Sequence, residues 1–367
     1  MKLSGIRVLD LSNFLPGPYL SLELSDHGAE VIKIEQPQGD PGRHIGLSDG
    51  PHTVFFRNLN RGKKSIELNL KTEKGLTALL SLTDSADVFI ESFRPGVAER
   101  LGISYEILSR RNPRLVYCSI SAFGQDGPYR TRPAHDLAVE ALTGTLTLTA
   151  GGGAKPSMPN LPYADLLSGL QGLAGVLMAL LRRQTTGQGD YIDISMSDCM
   201  MAASRNALGS TFSKNQAPEP GQDRTTGGGA FYNIYQTSDG VHIALAGQEP
   251  KFVNTLLNAL GRPDLAPVCL QGPGPHQAPA IEFLENAFRE ATYAQWEETL
   301  SAMDLCFGKV NNLPQALQDP QVIARGIVVH DNEGRPHIGS PIRFLNEPAE
   351  LNLESPALNQ HHNLLEE

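Results

Sequence analysis

The chain has 367 residues, which exceeds one ordinary domain and predicts two, with enough apolar sequence to bury a core without disulfides or metals. Its 30 basic residues against 40 acidic ones give a formal net charge of −10. This acidic balance argues against general binding to nucleic acid or to an anionic membrane surface. Any anionic ligand therefore has to be held by a local group of basic residues.

The cysteines and the apolar stretches exclude further classes. The cysteines show neither a CxxC spacing nor histidine partners at zinc spacing, so neither a disulfide framework nor a structural zinc is expected. The first residues lack the apolar segment of a secretory signal. The longest uncharged apolar stretch, Leu166 to Leu181, is shorter than the roughly 20 residues that span a bilayer. We therefore expect a soluble cytoplasmic protein with no membrane partner.

The first part of the sequence alternates short apolar runs with helical patterns. Helical spacing of apolar residues covers 19–27, which Gly28 ends, and 72–83. The runs typical of buried strands occupy residues 6–11, 30–35, 65–70, 87–90 and 115–120. This alternation predicts an α/β fold with a parallel sheet that is covered by helices on both faces.

A long amphipathic helix and a glycine-rich segment organise the rest. Apolar residues recur at helical spacing from Leu166 to Arg183, and Asp165 is predicted as the N-cap of this helix. Residues 214–230, rich in Gly and Pro, predict a linker. The remaining predicted elements are a strand at 191–195, a hairpin at 231–246, helices at 251–261 and 278–303, and strands and turns from about residue 320.

His135 and Asp165 are the side chains best placed for chemistry, because each stands beside a predicted element end. An imidazole and a carboxylate can move protons in both directions, or one of them can attack an acyl group. For Asp165 the structural alternative is a plain helix cap, worth about 1 kcal/mol. The two roles are compatible, since a helix N-terminus favours the carboxylate form that a base or a nucleophile needs.

A series of short motifs resembles the family III CoA-transferases and their relatives, the α-methylacyl-CoA racemases. The resemblance extends from about Leu3 to at least Gly339. Individually several of these motifs are weak, but their order and spacing are specific. They are Gly5-Ile6-Arg7-Val8-Leu9-Asp10-Leu11, Pro16-Gly17-Pro18, Gly28-Ala29-Glu30-Val31-Ile32-Lys33-Ile34-Glu35, Asn60-Arg61-Gly62-Lys63-Lys64-Ser65, Leu70-Lys71, Phe93-Arg94-Pro95-Gly96, Phe123-Gly124-Gln125-Asp126-Gly127-Pro128, Thr186-Gly187-Gln188-Gly189 and Asp198.

The resemblance implies two chains interlocked as rings, each with a Rossmann-like large domain built from both termini and a smaller α+β domain. On this basis we expect residues 1–213 and 319–367 to form the large CoA-binding domain, 214–230 the linker and 231–318 the small domain. Coenzyme A would lie in a cleft of the large domain as part of an acyl-CoA substrate, and neither a further cofactor nor a metal is expected. The absence of GxGxxG after the first strand argues against NAD.

The resemblance also implies roles for individual residues. His135 stands where the racemases have a proton-carrying histidine, whereas typical transferases have an aromatic residue there. Asp165 is the second base in racemases, or the residue that becomes an anhydride and then a CoA thioester in transferases. Glu249 and Asp136 would support the histidine. The residues implied to bind CoA are the basic residues Arg43, Lys71, Arg94 and Arg100, which would contact its phosphates, and Leu70 and Leu101, which would flank its adenine.

The residues at the discriminating positions favour the racemase branch. Besides His135, the loop after the first strand has Leu15 where some transferases use a glutamine, and Gly228-Gly229-Ala230-Phe231-Tyr232 looks like the racemase form of its segment. The sequence therefore favours an acyl-CoA racemase acting on a 2-methylacyl-CoA by two-base proton transfer. The alternative is a CoA-transferase with Asp165 as its nucleophile. Gly308-Lys309 departs from the family pattern, so the sequence does not identify the acyl group.

Overall fold

A computed structural model describes residues 1–150 and 155–365. The chain forms two compact units. The first consists of Met1–Thr143, Leu161–Ala203 and Pro320–Glu367, and the second of Gly144–Asn160 and Ser204–Asp319. The second unit therefore extends beyond the predicted small domain, and residues 214–230, predicted as a linker, lie within it.

The strands of the described residues are short, mostly three to six residues each. They are β1 Arg7–Asp10, β2 Glu30–Glu35, β3 Ser48–Asp49, β4 His52–Thr53, β5 Lys64–Glu67, β6 Val88–Glu91, β7 Val116–Ser121, β8 Tyr191–Ser195, β9 Asn233–Gln236, β10 His242–Leu245, β11 Phe307–Lys309, β12 Val328–His330 and β13 Pro336–Ile338.

The α-helices range from single turns to one helix of 24 residues. They are α1 Pro16–Asp26, α2 Val54–Asn60, α3 Glu73–Thr83, α4 Val97–Leu101, α5 Tyr105–Arg111, α6 Asp136–Leu142, α7 Tyr163–Thr186, α8 Met196–Ala203, α9 Gly209–Lys214, α10 Pro250–Ala259, α11 Ala266–Cys269, α12 Ala278–Phe288, α13 Tyr293–Ala302, α14 Leu313–Leu317 and α15 Pro320–Arg325.

The first unit contains the predicted parallel sheet. Its six strands lie in the order β5-β2-β1-β6-β7-β8, and every neighbouring pair is parallel. From β1 the chain builds outward to one side through β2 and β5, and then returns to build the other side from β6. The order therefore reverses between β1 and β6. In open α/β sheets, ligands bind beyond the carboxyl ends of the strands at such a switch point.

Both faces of this sheet are covered, as the sequence predicted. Successive strand residues point to opposite faces, so Val8 belongs to one apolar cluster and Leu9 to the other. Helices α1 and α7 pack over the first face, with Leu20, Leu173 and Val176 buried among the strand residues. The second face carries residues of α3 and α5.

Helix α7 is the one candidate among the described residues that is long and apolar enough to cross a bilayer, judged by length and composition alone. A core helix passes the same test, and α7 packs closely on α1. A Cβ on Gly169 would lie 2.7 Å from the carbonyl oxygen of Pro16, and one on Gly172 would lie 2.6 Å from Leu20 Cδ1. These glycines allow the close approach that places the start of α7 beside the loop before α1.

The second unit has its own sheet and core. Strands β9, β10 and β11 form an antiparallel sheet in the order β11-β10-β9, which confirms the predicted hairpin. Its apolar side packs on α10, α12 and α13. Trp296, the single tryptophan of the chain, is buried here and donates a hydrogen bond to the Phe288 carbonyl at 2.9 Å.

Three element predictions need correction. Helix α7 begins at Tyr163, so Asp165 is its third residue and not its N-cap. The predicted helix at 278–303 is two helices, because the Thr292 side chain accepts from the Gln295 backbone N–H and starts a new helix there. The region after residue 320 begins with the short helix α15 before its strands.

Fully buried charges connect the ends of β1 and β2 with the residue that precedes β5. Lys63 Nζ contacts Asp10 at 3.2 Å and donates to the Pro18 carbonyl at 3.0 Å, while Lys33 Nζ contacts Asp40 at 2.7 Å and donates to the Ser12 carbonyl at 2.9 Å. Burial opposes ionisation of Asp10, yet the two ammonium groups outweigh it and lower its pKa to about 2. These interactions fix the segment from residue 12 to residue 18.

We predict that Lys63→Met destabilises the protein by about 3–5 kcal/mol, because it removes the ammonium group that pairs directly with the buried Asp10 carboxylate. Lys64→Met is the matched control, since Lys64 is 37% exposed and its pair with Glu30 is at the surface. The control should cost no more than about 1 kcal/mol. Urea unfolding followed by circular dichroism measures both, and equal losses would contradict the assignment.

Candidate active site

A cavity of about 260 Å³ lies at the switch point of the sheet. Its walls come from the segments that follow β1, β2, β5 and β6. This lining contains three of the residues predicted to bind CoA, namely Leu70, Lys71 and Leu101. It also contains Phe93. The cavity thus combines apolar surface for a flat ring with a cation at its edge.

The three arginines predicted to bind the phosphates of CoA differ in their hydrogen bonds and in their exposure. The guanidinium of Arg43 donates to both carboxylate oxygens of Glu35, at 2.6 and 2.7 Å, and to the Pro356 carbonyl at 3.0 Å. These bonds hold Arg43 in the protein framework. Arg94 is exposed and lines a separate polar cavity of about 210 Å³, and Arg100 is exposed on α4. A phosphate-binding role for the three arginines stays a prediction.

His135 lies directly before α6, in extended backbone with φ −121° and ψ 174°. Its side chain is exposed, and its ring meets the ring of Phe14 edge to face with centroids 5.8 Å apart. Phe14 has a φ of 62°, which is unusual for a residue with a side chain, and its backbone N–H donates to Asp40 at 3.4 Å. The buried charges therefore hold the residue that packs against the imidazole.

Asp165 is half-buried in the first turn of α7. Burial raises the pKa of Asp165 from its ordinary value of 3.8 to about 7, and the charge of Asp136 adds to this rise. The helix N-terminus acts in the opposite direction, but another carboxylate already accepts from two of its N–H groups. A carboxyl group with a pKa near neutrality can both give and take a proton at physiological pH.

That other carboxylate is Asp136, the neighbour of His135. Asp136 Oδ1 accepts from the backbone N–H groups of Ala164 at 2.8 Å and Asp165 at 3.1 Å. The structure therefore gives Asp136 a contact that sequence analysis missed, because from α6 it accepts hydrogen bonds from the first turn of another helix, α7. Because His135 and Asp136 are consecutive, this contact ties the segment that begins at His135 to the first turn of α7, which carries Asp165.

Glu249, the remaining predicted site residue, belongs to the second unit. It is exposed at the N-cap of α10, where its carbonyl accepts from the Phe252 and Val253 N–H groups. Its predicted support of the histidine stays a prediction. Among the described residues, no group of three or more His, Cys, Asp or Glu side chains could hold a metal ion.

Comparisons with known proteins give the family. The model of CoA-transferase family III matches residues 3–362, nearly the whole chain. The chain belongs to this family. The structure is similar to a CAIB/BAIF family protein from Brucella suis, with a TM-score of 0.86 and 31% identity over 99% of this chain and 98% of that one.

Curated relatives include both activities that the sequence left open. This family III chain is 34% identical to the acetyl-CoA:oxalate CoA-transferase of Acetobacter aceti, over 93% of this chain and 88% of the relative. It is 33% identical to the human alpha-methylacyl-CoA racemase, over 98% and 88%. It is therefore an enzyme of CoA-transferase family III, for which acyl-CoA substrates are expected. Overall identity does not separate the two activities.

Two groups in this family III enzyme escaped the sequence analysis. Phe14 gave no signal, because its contact with His135 joins distant segments. The second is Glu140, whose side chain accepts from the Tyr163 backbone N–H at 3.2 Å. It could have been found, since it stands four residues after Asp136 and so shares a face of α6 with it.

We predict that Lys71→Glu weakens binding of free CoA about tenfold, or about 1.4 kcal/mol, because it places a negative charge at the edge of the 260 Å³ cavity. Lys74→Glu is the matched control, as an equal charge change on α3 outside that lining. Isothermal titration calorimetry gives both dissociation constants. Equal weakening by both variants would argue against a CoA site at this cavity.

Proposed function

We propose that this enzyme racemises the α-carbon of a 2-methylacyl-CoA by two-base proton transfer, with His135 and Asp165 as the proton carriers. The observation that carries the proposal is the environment of Asp165. Its carboxyl group is half-buried beside Asp136, and its pKa is raised to about 7. Both the protonated and the ionised form of Asp165 are therefore available near neutral pH, which suits a reaction that runs in both directions.

The chemistry begins with the acidity of the α-proton next to a thioester. One carrier takes this proton from one face of the acyl group and leaves a planar enolate. The conjugate acid of the other carrier then delivers a proton to the opposite face. When His135 is the base, Asp165 must start protonated, and in the reverse direction Asp165 must start as the carboxylate. A pKa near neutrality supplies both forms.

The surrounding contacts support this assignment. Phe14 packs against the His135 ring, and Asp136 holds the backbone of Asp165, so both carriers stand on fixed supports. The cavity with Leu70, Lys71 and Leu101 would take the adenine end of CoA. Glu249 would orient the imidazole from the small domain, and the enzyme would act as an interlocked homodimer, as the family resemblance implies.

A family III CoA-transferase is the second candidate, favoured by the number of transferases among the curated relatives. In that reaction the Asp165 carboxylate attacks the thioester carbonyl, forms a mixed anhydride and releases the CoA thiolate. The thiolate then attacks the aspartyl carbonyl and releases the free acid. This route needs an ionised Asp165, and its raised pKa works against ionisation below about pH 7.

The proposal predicts exchange of the α-hydrogen. With either enantiomer of a 2-methylacyl-CoA in deuterium oxide, the enzyme should place deuterium at the α-carbon and produce the other enantiomer. Proton NMR and chiral chromatography of the released acids measure the two events. Absence of exchange, together with ready transfer of CoA to a free carboxylate, would overturn the racemase and support the transferase.

We predict that Asp165→Asn and His135→Gln each reduce racemisation at least a hundredfold, the usual scale for proton-transfer residues. Each variant should keep slow exchange of only the enantiomer whose proton the remaining base removes. His242→Gln, an exposed histidine of the second unit, is the matched control and should match wild type. Undiminished exchange of both enantiomers by His135→Gln would remove that residue from the mechanism. An acyl or CoA adduct on Asp165, detected by mass spectrometry, would instead indicate the transferase.

A further inference from the structure

The first turn of α7 is capped by side chains of another helix. An α-helix begins with N–H groups that have no partner within the helix, and here the N-cap residue is Pro162, whose side chain makes no cap hydrogen bond. Asp136 accepts from two of these N–H groups, those of Ala164 and Asp165. Glu140 Oε1 accepts from a third, that of Tyr163, at 3.2 Å.

The two capping carboxyl groups also contact each other. Asp136 and Glu140 lie one turn apart on α6, and their side chains share a hydrogen bond. Two carboxylates have only acceptors, so a hydrogen bond between them requires that one of them carry a proton. Glu140 is the better proton holder, because its side chain is only 2% exposed. Burial, and then the charge of Asp136, raise the pKa of Glu140.

We propose that Glu140 is a positioning residue for Asp165. By holding a proton against Asp136, it makes the two carboxyl groups present a single negative charge to the first turn of α7. This inference rests on the proposed function only in taking Asp165 as a reacting group.

The protonated pair has two effects, one on the cap of α7 and one on the carboxyl group of Asp165. One negative charge suits the partial positive charge of a helix N-terminus, whereas two charges in a buried space would repel each other and Asp165. The same single charge next to Asp165 keeps its carboxyl group titrating near neutrality. Loss of the Glu140 proton would disturb both the cap and the carrier.

Other titratable groups on the packed elements are few. Helices α7 and α8 pack against α6, and His135 precedes it. The titratable groups of these two helices are Tyr163, Asp165, Arg182, Arg183, Asp198 and Cys199. The arginines stand at the far end of α7, so the ionisable groups that these elements place near its first turn are the carboxyl groups, Tyr163 and His135.

Glutamine and leucine at position 140 separate the functions of the side chain. Glutamine reproduces protonated glutamic acid, since its oxygen can accept from Tyr163 N–H and its amide can donate to Asp136, but it cannot ionise. Leucine keeps the volume and removes both bonds. Glu298→Gln, an exposed glutamate of α13, is the matched control.

Thermal stability tests the pair without reference to any activity. An acid whose pKa is raised by folding lowers the stability as pH rises from its ordinary value through its raised one. Ionisation of Asp165 lowers the stability between pH 3.8 and about pH 7, and ionisation of Glu140 lowers it from pH 4.5 upward. The melting temperature of wild type should therefore fall more between about pH 5 and pH 8 than that of Glu140→Gln. An equal fall in the two proteins, with the same fall in Glu298→Gln, would overturn the proposal.

Kinetics then test the link to Asp165. We expect Glu140→Leu to lose about tenfold in kcat with little change in KM, because the CoA cavity is formed by other segments. Glu140→Gln should recover most of this loss and shift the alkaline limb of the kcat profile to higher pH. Full kcat in Glu140→Leu, or an unshifted limb in Glu140→Gln, would overturn the role. If the enzyme exchanges no α-proton, the proposed function fails, while the stability comparison still decides the protonation of the pair.

Discussion

The site depends on a set of charges that the fold buries completely. Asp10, Lys33, Asp40 and Lys63 are all shielded from solvent, and each is paired with an opposite charge. Buried pairs contribute little net stability compared with apolar packing, but an unpaired member is very costly. The buried pairs therefore determine where the segments that carry them lie. The lysines hold the backbone carbonyls of Ser12 and Pro18 on either side of Phe14, whose ring meets that of His135.

Packing also determines the position of α7 and of Asp165 in its first turn. Its glycines bring it onto α1, and its first turn then meets the start of α6, where Asp136 and Glu140 supply the missing hydrogen-bond partners. The carboxyl group of Asp165 is thereby held next to another carboxylate in a half-buried place. Its raised pKa is a product of this packing and not of the residue type.

Membership of CoA-transferase family III defines the class of chemistry but leaves two reactions open, since relatives with either activity are about equally similar to this chain. The two reactions require different protonation behaviour of Asp165. Covalent transfer needs a carboxylate that stays ionised, whereas racemisation needs a group that changes its protonation in every turnover. The environment of Asp165 is therefore the feature on which the proposed function rests.

The sequence by itself determined the parallel sheet, most of its strands and the family. Apolar runs of strand length, separated by helical periodicity, carry that information locally. Motifs singled out His135, Asp165, Leu70, Lys71 and Leu101, and three of these indeed line one cavity. Only the tertiary structure decided that Asp165 lies inside its helix, that Asp136 and Glu140 cap that helix, and that Arg43 is bound to Glu35. The caps join segments 23 and 28 residues apart, and the start of α7 and the pairing of Arg43 depend on the packing around them. Local spacing in the sequence encodes neither.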